Sequence, residues 1–473
     1  MPNLSFREWS FAHRLAGVVM AAIALFTFPG PVIAVAGKVV READVPLMTV
    51  DGPIYIVRQP RTGRVSVHLI FGYSAPPHEM HYVEHLVWLN VTGATGDRRD
   101  SNAWTTRHAV GYWLSGSSGE LAEMLHTLAG VFAPIRLSER FAAQERDIIL
   151  RERELRMAMH PDLRIAWKME AFLYAGTPLA VPVIGTPEEI RNLDIRNART
   201  LHAATHRPER ASLVIVGDVT PEMVHLAMTR AGFPDLGKAV RNGLPRLHLK
   251  RPVERLFRFR ESNLRLVWRR AVTLGKPVQY DLLEARCALL REILRSNLPG
   301  GLAGPLLYDG MLVRNFDIRI RAVDERHVEL RFDAAPDGKV SLRQLRRAFE
   351  KRLAETAATG IPQRTFERVL KRFDAYWPDW GNRRETSEWL GKYVLRRASA
   401  LRRPIKVAEL RRLRRNLTGA ALDDLLKELA APGRTAIAHV ETGGNPDDPN
   451  LRSAACLYGS HCRKRGGSSD RQP

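Results

Sequence analysis

Residues 211–219 read ASLVIVGDV, and residues 434–441 read RTAIAHVE. Each run is a strand in pattern, and each closes a longer series of strands and helices. They lie about half the chain apart. Thr220-Pro221-Glu222 turns the first run into a helix, with Thr as N-cap and Pro at the first helical position. The echo suggests two copies of one α+β unit.

Working back from Ala211, residues 46–75 read as strands around Thr62-Gly63: VPLMTV, IYIVRQ and RVSVHLIFGY. HYVEHLVWL (81–89) is helical in pattern, and NAWTTRHAVGYWLSGS (102–117) is rich in β-formers. Helices are expected over 119–133, over 138–159 with Ser138 before it and Pro161 beyond, and over 188–206. Working forward, 235–254 reads as a linker. LFRFRE and RLVWRRAVT then read as strands, DLLEARCALLREILRS as a helix, and FDIRIRAV with HVELRFDAA as a strand pair. Helices are expected over 341–357 and 364–429. The pattern is therefore α+β, in two copies of one unit, over 37–234 and 255–442. Residues 443–473 read as a flexible tail.

With 473 residues the chain can bury more than one core, and 45% apolar content marks it as globular. Lys and Arg number 73 against 51 Asp and Glu, a net charge of +22. Most of the basic residues are arginines scattered through helices. The charge reads as a solvated surface that steers acidic ligands, or as a polyanion or membrane-surface contact. No zinc-finger spacing, aromatic RNA-binding signature or dominant basic run is found, so no nucleic-acid partner is expected.

Arg7, His13 and Arg14 precede the apolar run LAGVVMAAIALFTF (15–28), and Ala34-Val35-Ala36 offers a small-x-small cleavage point before Gly37. Residues 1–36 read as a signal peptide, placing the rest outside the cytoplasm, in the periplasm. An uncleaved anchor is the other reading. Cys456 and Cys462 could form a small disulfide there, whereas Cys287, inside LLEARCALL, reads as a buried thiol.

The chemistry centres on HYVEH, residues 81–85. On a helix, His81, Glu84 and His85 share a face. Two imidazoles one turn apart can reach one zinc ion, and Glu84 beside them could take a proton from water that the metal has acidified. A third ligand is needed. The helix at 138–159 carries Glu145 and Glu152 on the side of an apolar stripe formed by Ile148, Leu155 and Met159, expected to face the core. A buried carboxylate at Glu152 needs a cation, either a zinc ion or an arginine. Glu145, two turns earlier, could support a ligand.

These stretches resemble the M16 (pitrilysin/insulinase-like) metallopeptidases of the short processing-peptidase type. HYVEH matches the zinc motif, and NAWTT, continuing to Tyr112, resembles the Asn-Ala-x-Thr strand. ERDIILRE (145–152) resembles the helix ending in the glutamate ligand. TPLAVPVIGTPEEIRNL (177–193) and HRPERASLVIVGDV (206–219) follow in the family's order. The resemblance covers about 45–235 well and the second half by architecture, and implies a fold class of α+β with two homologous α/β sandwich domains, each a mixed or antiparallel sheet covered by helices. It implies one Zn2+ per chain on His81, His85 and Glu152, with Glu84 as general base and Glu145 in support. It also implies that Asn102 and Ala103 lie on an edge strand to which the peptide substrate adds. GGLAGPLLYDGMLVRNFDI (300–318) is similar only loosely to the region that supplies a substrate-binding Arg and Tyr. His78, Glu79 and Met80 stand where the family has Gly-x-Ala, and His78 reads as a loop residue that could compete for metal.

The expectation is an exported zinc metalloendopeptidase acting on peptides or small unfolded polypeptides. It would pair as a homodimer, or as a heterodimer with a related chain. The alternative is a non-catalytic partner or assembly subunit of the same fold.

Overall fold

Alternating side chains explain why the strands of the first half are apolar almost without a break. Along β5 (Arg64–Gly72), Val65, Val67, Leu69 and Phe71 enter one core while Ile70 enters another. A strand covered on both faces needs no polar side. The computed structural model describes residues 33–35, 38–40, 48–93, 100–160, 162–237, 247–376, 387–402 and 407–443. Two short strands, β1 (Ile33–Val35) and β2 (Lys38–Val40), pair antiparallel in a unit of their own. The apolar run 15–28, Cys456, Cys462 and the tail beyond Gly443 lie outside the described residues.

The first sheet contains β3 (Met48–Asp51), β4 (Ile54–Arg58), β5, β6 (Asp100–Thr105), β7 (Ala109–Ser117) and β8 (Ala211–Gly217), in the order β3-β4-β8-β5-β7-β6. The second contains β9 (Glu254–Glu261), β10 (Arg265–Thr273), β11 (Val313–Ala322), β12 (His327–Pro336) and β13 (Arg434–Thr442), in the order β11-β12-β10-β13-β9. β8 runs parallel to β4 and antiparallel to β5, and β13 runs parallel to β9 and antiparallel to β10. Apart from β3, the two sheets have one topology, and the runs at 211 and 434 hold the same place in it.

Helices α1 (Pro77–Thr92), α2 (Leu121–Ala129), α3 (Glu139–Met159), α6 (Ile195–Thr205) and α7 (Pro221–Ala231) contribute to the core on one face of the first sheet. Between α3 and α6 come α4 (Asp162–Leu173) and α5 (Pro187–Arg191). The stretch 188–206 is thus two helices. Thr186 and Glu189 cap α5 reciprocally, and Asp194 caps α6 by accepting the Arg196 N–H. In the second half, α8 (Tyr280–Arg295) and α9 (Leu342–Thr359) cover one sheet face, with Cys287 buried in α8. The helices expected over 364–429 are α10 (Gln363–Tyr376), α11 (Ser387–Ser399), α12 (Val407–Arg415) and α13 (Gly419–Ala430). Thr418 caps the last of these by accepting the Ala421 N–H.

The remaining sheet faces are covered by exchange. Ile165, Met169 and Leu173 of α4, a first-half helix, pack on Val267, Ala271, Ala436 and Ala438 of the second sheet. Leu390, Val394 and Ala398 of α11, a second-half helix, pack with Tyr55, Val57, Ile70 and Val214 of the first sheet. Both sets of helix residues repeat at i, i+4, i+8, the spacing of a single buried stripe. Each half thus lends a helix to the other.

Candidate metal centre

Helix α1 starts at Pro77, whose missing N–H costs nothing at a first-turn position, and stops at Gly93, whose φ of 69° suits glycine. Met80, His81, Tyr82, Val83, Glu84, Leu86 and Val87 are all buried, so α1 is enclosed on most sides. The Tyr82 hydroxyl donates to the Ala142 carbonyl of α3 at 2.9 Å and fixes one helix against the other.

The buried face of α3 is not the expected one. Ile148, Leu155 and Met159 are exposed, and the inward positions are Ala142, Glu145 and Ile149, with Glu152 half-buried. The carboxylates, rather than the apolar stripe, face α1. Their partners there repay the cost of burying them.

Glu152 Oε2 lies 3.6 Å from His81 Nε2 and 3.6 Å from His85 Nε2. The two rings stand nearly perpendicular, 87° apart, with centroids separated by 4.8 Å. Glu152 Oε2 is buried and accepts no hydrogen bond, while its other oxygen pairs with Arg156. Of the two cations weighed for Glu152, an arginine holds one oxygen, and the other oxygen faces the two imidazoles without a hydrogen bond. Spacings of 3.6 Å are too long for hydrogen bonds and close to the roughly 3.4 Å expected between donors about 2.1 Å from a tetrahedral zinc ion. One donor atom from each of these three residues falls within 4.8 Å of the others, the only such group among the described residues. The donor set, two imidazoles and a carboxylate, suits zinc and leaves a position for water or substrate.

Neighbouring groups tune the cluster. His85 donates its Nδ1–H to Glu145 Oε2 at 2.9 Å. Burial, helped by His85, pulls His81 down to about 3. Burial opposes charge on His85, but Glu145 and Glu152 outweigh it and push the ring up to about 10. Burial likewise opposes ionisation of Glu152, yet its contacts with His85 and the charges around it hold it down at about 2. Glu84 is buried, and burial pushes it up to about 7. The Thr105 hydroxyl donates to Glu84 Oε2 at 2.8 Å.

Thr105 ends β6, which is an outer strand of the first sheet and pairs only with β7 among the described residues. Asn102 is exposed on β6, and its Oδ1 accepts the Ala103 N–H at 2.8 Å. Tyr112 is buried opposite Ala103, its hydroxyl hydrogen-bonded with His206 Nε2 at 2.9 Å. His78 lies in the first turn of α1 rather than in a loop, and is outside the donor cluster. Sequence reasoning missed Thr105 and Arg156. The first stands inside NAWTT and the second one helical turn beyond Glu152, so spacing could have indicated both.

The sequence and the fold have counterparts in known proteins. The chain is 22% identical over 223 residues to the zinc protease PqqE of Helicobacter pylori, covering 43% of this chain and 50% of that protein. It is 27% identical over 163 residues to human cytochrome b-c1 complex subunit 1, covering 32% and 34% respectively. The chain spans no more than half the length of these curated relatives. In three dimensions it is similar to an M16-like peptidase from Alicyclobacillus acidocaldarius, with a TM-score of 0.63 at 18% identity, covering 82% of this chain and 96% of that one. The chain has the M16 peptidase fold. The resemblance to the M16 metallopeptidases holds in both sequence and fold. No protein-family model matches it.

Proposed function

We propose that this M16-fold chain is an exported zinc endopeptidase that hydrolyses peptides or small unfolded polypeptides. The observation that carries the reading is Glu152 Oε2, a buried carboxylate oxygen without a hydrogen bond, equidistant from two imidazole nitrogens. His81, His85 and Glu152 would hold one zinc ion. Bound there, zinc would supply Lewis acidity, acidifying water and polarising a peptide carbonyl. Glu145 orients the His85 ring. Glu84, held by Thr105, takes the proton of the attacking water and passes it to the leaving amine. The open side of β6, with Asn102 and Ala103, receives the substrate as an added strand, recognising extended backbone rather than one side chain. The resemblance favours a second chain of the same or a related type as partner. The apolar run 15–28 favours export to the periplasm.

A second reading, a non-catalytic partner subunit, is favoured by the likeness to a cytochrome b-c1 complex subunit. Metal analysis and peptide cleavage by the full chain, beside Glu84→Gln, separate the two. The peptidase reading expects about one zinc per chain in both proteins and cleavage only in the wild type. A wild type that takes up no zinc when metal is supplied overturns it in favour of the partner reading.

A further inference from the structure

A chain of buried charges joins the turn after β6 to the second sheet. Arg107 follows Thr105 and Thr106 in the β6–β7 turn. Its Nη2 donates to Glu170 Oε2 at 2.8 Å and to the Leu179 carbonyl at 3.3 Å. Glu170 sits on α4, the helix lent to the second half, and its Oε1 accepts from Arg269 Nη2 of β10 at 3.0 Å. Arg269 Nε donates to Glu329 Oε1 of β12 at 2.6 Å, and Glu329 Oε2 accepts from Arg321 Nη2 of β11 at 2.6 Å. Arg269 and Glu329 are only 4% and 3% exposed.

Stability is a poor reason for such a chain, because desolvating the charges offsets most of their attraction, and apolar replacements are often as stable. Fixed geometry is a better one, since a guanidinium bridging two carboxylates sets the elements that carry them at one distance. What the chain fixes at its first-half end is the turn beside Thr105. The Tyr73 hydroxyl holds the same turn by donating to the Thr106 carbonyl. The Thr105 hydroxyl in turn fixes Glu84.

We propose that Arg107 is a positioning residue. Through Glu170 and Arg269 it clamps the β6–β7 turn to the second half, and so holds Thr105 against Glu84 and the open edge of β6 in place for an extended peptide. This inference rests on the peptidase reading. It gives the half without a metal motif a part in the reaction.

The test uses the full zinc-loaded chain as wild type, Arg107→Met, Arg107→Lys and Arg414→Met. Arg107→Met leaves Glu170 paired with Arg269, so no buried carboxylate is orphaned. Arg414→Met removes an ion pair to Asp374 that lies within the second half, and serves as the control for general destabilisation. Arg107→Met is expected to keep its zinc while kcat/KM for an extended peptide falls by about tenfold to a hundredfold. Arg107→Lys should recover part of the loss, because the ammonium keeps the charge without the forked contact. Amide exchange across residues 100–110 should quicken in Arg107→Met and not in Arg414→Met. Wild-type turnover and wild-type exchange in Arg107→Met would overturn this role alone. A wild type that neither holds zinc nor cleaves would overturn the peptidase reading and this role with it.

Discussion

His85 donates its Nδ1–H to Glu145 Oε2 at 2.9 Å, and this leaves Nε2 as the nitrogen facing Glu152. The carboxylate thereby selects the ring orientation that α1 alone would leave free. Glu145→Ala should weaken zinc binding by about tenfold to a hundredfold while the fold survives. Competition with a chromophoric chelator reads the loss directly. Unchanged affinity would show that packing against α3 orients the ring without the hydrogen bond.

Thr105→Val keeps the shape of the side chain and removes the hydroxyl that Glu84 accepts. A hydrogen bond to a charged group contributes about 1.5–3 kcal/mol, so kcat should fall by about tenfold to a hundredfold. KM and zinc content should stay near wild type, because neither substrate pairing along β6 nor the donor cluster involves this hydroxyl. A variant that loses zinc instead would indicate that Thr105 supports the helix and not the base.

Local signals made much of the site legible in the sequence. Helical spacing alone puts His81, Glu84 and His85 on one face, whereas local pattern leaves Glu152 open between a metal and an arginine, and it is the family resemblance that sets it beside the histidines. Local pattern also misplaced the apolar stripe of α3. Ile148, Leu155 and Met159 fit a core-facing pattern, yet they are exposed because Glu145 and Glu152 are held by the histidines of α1. Interactions between elements overrode a local period. The breaks at Asn192–Asp194 and before Thr418 were not located because long apolar-periodic stretches hid their caps, although Asp194 and Thr418 are ordinary capping residues. The exchange of α4 and α11 was out of reach, since an apolar stripe does not name the sheet it will cover.

Acid should destabilise the metal-free protein through histidines outside the donor cluster. Burial lowers His68 from 6.5 to about 4 and puts His206 well below 6.5. Between those values the unfolded chain binds protons that the folded chain refuses. Their contribution is therefore complete above about pH 6.5 and is lost as pH falls toward 4, at about 1.4 kcal/mol per pH unit for each ring. His68→Gln should flatten this dependence. Urea midpoints with excess chelator at pH 7.5, 6 and 5 provide the check, and parallel losses in wild type and variant would refute the assignment.

The exchanged helices predict that the two halves unfold together. Gly391 of α11 lies so close to β8 that a Cβ there would stand 2.7 Å from Val216 Cγ1. Gly391→Val would gain some helix propensity, at most about 1 kcal/mol, against an overpacking cost of about 1–3 kcal/mol. The balance is a lower Tm. The shift should appear in one transition that includes the second half, read by amide exchange in peptides from each sheet, with β10 around the fully buried Trp268 reporting the second half. Lifting α11 from the first sheet exposes Tyr55, Val57 and Val214, while the first half still owns the α4 residues that cover Ala436 and Ala438. Loss of either helix strips an apolar face from the opposite sheet. Two separate transitions in Gly391→Val, with only the first-half signal shifted, would show that the exchange does not couple the halves.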